Sequence, residues 1–146
     1  MTKIILFLSV FITSSSFSQN VFIPDAAFKE YLVGNTDINT NGDDEIQVSE
    51  ANAFSGEIDC YWAGISDLSG IEAFTALTEL WCFSNQLTTL DVSKNTALTN
   101  LNCGYNQLIS LDVSKNTALT GLWCGKRICV KGLNTAQTDS DVEKCD

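Results

Sequence analysis

Apolar positions recur along the middle of the chain with a period of 21 residues. Residues 77–97 read LTELWCFSNQLTTLDVSKNTA and residues 98–118 read LTNLNCGYNQLISLDVSKNTA, so the two segments align without a gap. Residues 119–125, LTGLWCG, begin a third copy, and residues 58–76 form a more divergent copy upstream. Such a fixed period is typical of proteins built from stacked repeats.

A short alternation of apolar and other residues in each copy predicts a β-strand. Leu80 and Cys82 alternate with polar or large residues, and a period of two puts alternate side chains on opposite faces of a strand. Because every copy repeats this segment, the strands stack in parallel around one apolar column. We therefore expect Leu80, Leu101 and Leu122 to lie in register.

The spacing within each copy is L-x-x-L-x-C-x-x-N-x-L-x-x-L-x-V. It resembles the leucine-rich repeat, L-x-x-L-x-L-x-x-N/C-x-L, with cysteine at the third apolar position. Asn85 and Asn106 occupy the asparagine position, where a buried amide bonds unpaired backbone groups; surface turns are the alternative. The resemblance implies an α+β repeat solenoid over 55–125, a short leucine-rich-repeat stack of three to four coils of 21–22 residues with parallel β-strands.

The first 18 residues, MTKIILFLSVFITSSSFS, predict a secretory signal peptide. Lys3 precedes an apolar run, which small and polar residues then follow. A membrane anchor is the alternative, but the run is much shorter than the about 20 residues that span a bilayer. We expect a secreted protein without a transmembrane segment, extracellular or at the cell surface, with the periplasm also open. These compartments are oxidising.

Residues 19–54 predict a helix-loop-helix cap ahead of the repeats. Asp25 is a candidate N-cap, Phe28 and Leu32 share one helix face, and Gly34 ends the helix. Residues 37–50, DINTNGDDEIQVSE, are rich in oxygen ligands and resemble an EF-hand or dockerin-type calcium loop.

Two registers of the calcium loop compete. A loop that starts at Asp37 puts Val48 at the twelfth position, where a bidentate Glu is required. The register that starts at Asn39 avoids this, with Asp44 at the left-handed sixth position, and we prefer it. Asparagine at position one lowers the expected calcium affinity, and a polar turn that binds no metal stays open. The ligands would be Asn39, Asn41, Asp43, Glu45 through its carbonyl, and Glu50.

Six cysteines divide into two groups. Cys60, Cys82, Cys103 and Cys124 recur in phase with the repeat, so we expect them to be buried as small apolar residues. Cys129 and Cys145 lie out of phase in residues 126–146, which we interpret as a C-terminal cap closed by a Cys129–Cys145 disulfide. The sequence alone allows fifteen pairings of six cysteines.

The net charge and the composition of the chain argue against several classes of function. The chain has 8 Lys and Arg against 18 Asp and Glu, a net charge of −10, which disfavours nucleic acid as a partner. It has no histidine, which excludes Ser-His-Asp catalysis and histidine-containing zinc sites.

Signal peptide, acidic loop and L-x-x-L-x-C-x-x-N-Q-L repeats together resemble the secreted leucine-rich-repeat proteins of Bacteroidota, loosely internalin-like. The resemblance implies a non-enzymatic binding protein at the cell surface or outside the cell.

The outward face of the strands is the candidate site for a protein or glycan ligand. A structural or adhesive scaffold without a specific small ligand is the alternative, and the cap segments could instead cover the tryptophans. A glycosidase using Glu57, Asp59 and Glu79 is disfavoured, because an open face holds nothing that would raise one carboxyl pKa. The candidate ligand-binding residues are Asp59, Tyr61, Trp81, Phe83, Asn102 and Trp123.

Overall fold

The computed structural model describes residues 19–125, 128–133 and 143–144, so the signal peptide prediction lies outside the described residues. Helices α1 (Ala26–Gly34) and α2 (Val48–Ala53) precede the strands, and a 3-10 turn covers Ile71–Ala73. The strands are β1 (Glu57–Asp59), β2 (Glu79–Trp81), β3 (Asn100–Asn102), β4 (Ser110–Asp112), β5 (Gly121–Trp123), β6 (Cys129–Lys131) and β7 (Glu143–Lys144).

Helix α1 begins where the sequence predicts and is joined to the repeats through its N-cap. One carboxylate oxygen of Asp25 accepts hydrogen bonds from the backbone N–H groups of Ala27 and Phe28. The other accepts from the backbone and hydroxyl of Ser66, both at 2.8 Å. Burial raises the Asp25 pKa, but these bonds outweigh it and leave the pKa below its ordinary value. Phe28 and Leu32 are fully buried, as their shared helix face predicts.

Four parallel strands form the first sheet, in the order β1-β2-β3-β5. Ile58 pairs with Leu80, Leu80 with Leu101, and Leu101 with Leu122, so the predicted register is confirmed. All four side chains are buried. No single coil could bury them alone, because each leucine is covered by its equivalent in the next coil.

A second parallel sheet, β4-β6-β7, lies at the L-x-V end of the repeat and is missing from the sequence prediction. Leu111 of β4 pairs with Val130 of β6, and both are buried. Ser110 and Asp112 on either side are exposed. A strand of three residues offers a single apolar position, which is too short a pattern to separate from a turn.

The repeat asparagines form a ladder of hydrogen bonds between coils. Asn85 Nδ2 donates to the carbonyls of Cys60 and Cys82 at 2.9 and 3.0 Å, and its Oδ1 accepts from the N–H of Ile65. Asn106 repeats this one coil later, donating to the carbonyls of Cys82 and Cys103. The prediction that these amides bond the backbone is thereby confirmed for both, while the predicted burial holds for Asn85 and Asn106 is half-buried.

A second asparagine ladder runs through the S-K-N-T segments, which the sequence shows only as turns. Asn95 Nδ2 donates to the carbonyls of Ile71 and Phe74, at 2.8 and 2.9 Å. Asn116 Nδ2 donates to those of Val92 and Asn95, again at 2.8 and 2.9 Å. Both asparagines are almost completely buried. They are therefore part of the core, and each amide joins successive coils.

Candidate binding face

The outward residues of the first sheet form three rows across its strands. In-register pairing places Glu57 beside Glu79, and Asp59 beside Trp81, at the spacing of neighbouring strands. We call these rows, together with Trp62 and Tyr105 at their edge, the strand face. The rows are Glu57, Glu79, Asn100 and Gly121; then Asp59, Trp81, Asn102 and Trp123; then Tyr61, Phe83, Gly104 and Gly125.

Trp81 and Trp123 stack on each other across the sheet. Strand β3 separates their strands, so their backbones lie about 10 Å apart, yet the ring centroids are 5.7 Å apart at an interplanar angle of 23°. Trp81 Nε1 donates to Glu79 Oε2 at 3.2 Å. The Trp123 ring lies against Gly121, where an added Cβ would come within 2.9 Å of it. A glycine at 121 therefore lets the Trp123 ring lie close to the sheet.

A second stack lies in the next row. The Tyr61 and Phe83 rings are nearly parallel, at 8°, with centroids 5.2 Å apart. The row continues with Gly104 and Gly125, around which an added Cβ would meet only ordinary contacts. Beside this open part, Asn102 Oδ1 accepts from the N–H of Gly104 at 3.2 Å. The rings of Tyr61 and Phe83 therefore stand next to two residues without side chains, of which Gly104 is buried and Gly125 is exposed.

Trp62 and Tyr105 are functional candidates that the sequence reasoning missed. They are 79% and 86% exposed. Both have left-handed backbone, with φ of 50° and 52°, as does Ser84 at the equivalent repeat position. Left-handed bulky residues are uncommon because their Cβ is crowded. The signal in the sequence is their shared position two residues after the repeat cysteine.

The acidic loop, residues 37–50, is held by hydrogen bonds among its own residues. Glu50 Oε1 accepts from the N–H and hydroxyl of Thr40 and from the N–H of Asn41, while Oε2 accepts from the N–H of Gln47. Glu50 is almost fully buried. Burial raises its pKa, but the hydrogen bonds outweigh that effect and hold the pKa below its ordinary value.

The other predicted calcium ligands bond one another, the backbone or Lys29. Asn39 Nδ2 donates to the carbonyls of Val33 and Asp43. Asn41 Nδ2 donates to Asp43 Oδ2 at 2.9 Å, and the Glu45 carboxylate pairs with Lys29. Within the described ranges, no three Asp, Glu, Cys or His residues are grouped to hold an ion. Calcium binding stays a prediction; it would require Asn41 and Glu50 to exchange these bonds for the ion.

One detail of the calcium register is wrong. The prediction puts a left-handed backbone at Asp44, whereas within 37–50 it is Gly42 that has positive φ, at 72°. Glycine has no Cβ to oppose this conformation, so the tight part of the loop falls there.

The cysteines in phase with the repeat form a buried column. Cys60, Cys82, Cys103 and Cys124 are at most 6% exposed, which confirms their predicted burial. Burial raises the pKa of Cys60 and of Cys103 to about 12, and that of Cys82 well above its ordinary value. The predicted Cys129–Cys145 disulfide falls outside the described residues, because Cys145 and the side chain of Cys129 are not described.

The stacked parallel strands and asparagine ladders define a leucine-rich-repeat solenoid. No family model matches the chain. Internalin J of Listeria monocytogenes serotype 4b is 51% identical over 38 residues, which cover 26% of this chain and 4% of that protein.

Solved structures give the same fold. A functional domain of InlJ from Listeria monocytogenes, described as including a cysteine ladder, is similar over 81% of this chain at 32% identity and a TM-score of 0.58. An internalin, InlF, from Listeria monocytogenes matches 82% of the chain at 18% identity and a TM-score of 0.57. This chain covers 26% and 47% of those structures. The protein thus has an internalin-like leucine-rich-repeat fold. No described helix is long and apolar enough to cross a membrane.

Proposed function

We propose that this chain is a non-enzymatic extracellular binding module that recognises a protein or a glycan through its strand face. The observation that carries the proposal is the aromatic content of that face. All three tryptophans and two of the three tyrosines of the chain lie there. Tyr61, Trp62, Tyr105 and Trp123 are 44–86% exposed. Contiguous exposed aromatics rimmed by polar groups mark interaction surfaces.

The four in-phase cysteines support the same architecture. The InlJ domain is described as including a cysteine ladder, and in this chain Cys60, Cys82, Cys103 and Cys124 are buried at equivalent positions of successive repeats. We propose that this column holds the strands at constant spacing beneath the strand face. We also propose that calcium, when present, stiffens the N-terminal cap and that a Cys129–Cys145 disulfide closes the C-terminal end.

Removing exposed aromatics tests the binding function. Trp62→Ala combined with Tyr105→Ala is expected to abolish binding to those members of a glycan and extracellular-protein array that the unaltered chain binds. The matched control is Phe22→Ala combined with Ile109→Ala, because these side chains are 78% and 80% exposed outside the strand face. A second variant, Trp81→Ala with Trp123→Ala, removes the stacked pair.

Unchanged binding by the well-folded strand-face variants would show that the strand face is not the binding site. Concentration-dependent self-association with no array ligand would instead favour the scaffold alternative. Circular dichroism and thermal melts establish that each variant is folded.

A further inference from the structure

Within the described residues, the carboxylates of the strand face lie side by side with no lysine or arginine among the residues of that face. Glu57 and Glu79 are directly paired across β1 and β2, and Asp59 follows on β1. Like charges at directly paired positions are unfavourable in a sheet. None of the strand-face residues between 57 and 125 is Lys or Arg. This face therefore carries a local repulsion that the described part of the chain does not neutralise.

On the opposite side of the coils, lysines lie near the carboxylates. Asp112 lies 3.3 Å from Lys131. The Asp91 pKa is lowered chiefly by hydrogen bonds from Ser93 and also by the charge of Lys94. Lysines thus accompany the carboxylates there, while the strand face is acidic without them. The difference in charge points to a cationic occupant of the strand face.

The aromatic rings beside these carboxylates suit the same occupant. Asp59 is paired with Trp81, and the stacked Tyr61 and Phe83 lie in the next row. Ring faces attract cations, and arginine can stack on a ring while bonding a carboxylate. A neutral sugar could stack on the same rings, but covering Glu57 and Asp59 would desolvate their charges without a partner.

We infer that the strand face docks an arginine- or lysine-rich segment of a partner protein, seated against Glu57, Asp59 and Glu79 and against the neighbouring aromatic rings. The inference rests on the proposed function, for which it specifies the ligand. The net charge of −10 adds a long-range attraction that steers such a segment toward the chain.

The test compares two sets of charge-removing variants. The face variant is Glu57→Gln, Asp59→Asn and Glu79→Gln. The control is Asp67→Asn, Asp91→Asn and Asp112→Asn, which changes the net charge equally. In the control, each asparagine keeps the oxygen that accepts the N–H two residues later. The aromatic variant is Tyr61→Ala with Phe83→Ala, which removes the stacked rings in the row next to Asp59.

The probe is a fluorescent peptide of alternating arginine and glycine, read by anisotropy at about 0.15 M NaCl, where distant charges are screened. The face and aromatic variants are each expected to weaken binding about tenfold, and the control by less than about twofold, because only close charges and rings act at this salt concentration. A glutamine–glycine peptide is expected not to bind.

Equal weakening by both charge-removing sets would overturn the inference, because binding would then follow net charge alone. Absence of peptide binding would overturn it too. If neutral oligosaccharides bind instead, and the aromatic variant abolishes that binding, the inference fails while the proposed function survives. If the face and aromatic variants weaken no interaction on the array or with the peptide, both fail.

Discussion

The N-terminal cap and the repeat stack are held together in different ways. In the stack, equivalent leucines, cysteines and asparagines make the same contacts in successive coils. In the cap, the carboxylates of Asp25 and Glu50 each accept several hydrogen bonds. Unlike the contacts of the stack, these bonds are not repeated at equivalent positions elsewhere in the described part of the chain. The stack is therefore redundant, whereas the cap depends on single residues. Perturbations that act on one region and spare the other test this difference between the cap and the stack.

Alkaline pH should have the largest effect, and it should act on the stack. The pKa values of Cys60, Cys82 and Cys103 are raised by burial, so above the unfolded pKa of about 9 only the unfolded chain loses these protons. This stability is fully present below pH 9 and is lost as the pH rises toward 12. Each thiol should contribute a loss of about 1 kcal/mol per pH unit.

Urea titrations between neutral pH and pH 10.5 measure this loss. Cys103→Ala should reduce the steepness of the pH dependence. An equal slope in the variant would contradict the assignment to buried thiols.

Truncating a core side chain of the stack should have the second largest effect on stability. Leu101 is fully buried between its equivalents in the two neighbouring coils. Leu101→Ala should lower the free energy of unfolding by about 2–5 kcal/mol, because it removes buried apolar surface and leaves a cavity. Chemical denaturation measures the change, with Ile109→Ala at an exposed position as the control. A loss comparable to that of the control would show that the column is not tightly packed.

Removing the Asp25 side chain, which links the cap to the stack, should have the third largest effect on stability. Asp25→Ala removes the N-cap of α1 and the bonds to Ser66, which together should cost about 2 kcal/mol. Hydrogen exchange should show faster exchange in α1 with little change in β2 and β3, because the stack keeps its own contacts. Ser66→Ala removes a single hydroxyl bond and should cost less. Uniformly faster exchange across both regions would mean that cap and stack unfold as one unit.

Calcium should have the smallest effect, confined to the cap. With a dissociation constant of about 10⁻³ M, about 10 mM calcium should stabilise the folded chain by about 1 kcal/mol. Glu50→Gln should abolish the rise in melting temperature, while Glu45→Gln should retain it, since Glu45 would contribute its carbonyl. A melting temperature that calcium leaves unchanged would reject the site.

The repeat made much of the stack predictable. Leu80, Leu101 and Leu122 occupy equivalent positions in near-identical segments, and stacking then follows from their need for burial. Asp25 was predictable too, because capping depends on local sequence. By contrast, the buried roles of Asn95 and Asn116 depend on carbonyls 21 to 24 residues away. No local pattern distinguishes such an asparagine from one in a surface turn.

The candidate site was predictable only in part. Alternation along β2 and β5 indicates which side Trp81 and Trp123 occupy. It does not reveal that their rings meet across β3, which depends on the missing side chain at Gly121. Trp62 and Tyr105 could not be predicted, because they follow the strands, where side chains no longer alternate between the two faces with a period of two. The residues beyond the strand ends therefore add the most exposed part of the surface.

The row Tyr61, Phe83, Gly104 and Gly125 descends from two bulky rings to two residues without side chains. It therefore resembles a step, with its high side toward the N-terminal coils. A ligand with a thick end and a thin end can fit this profile in one direction only. For a ligand that binds the strand face, we expect this gradient of side-chain size to favour one direction of docking over the reverse.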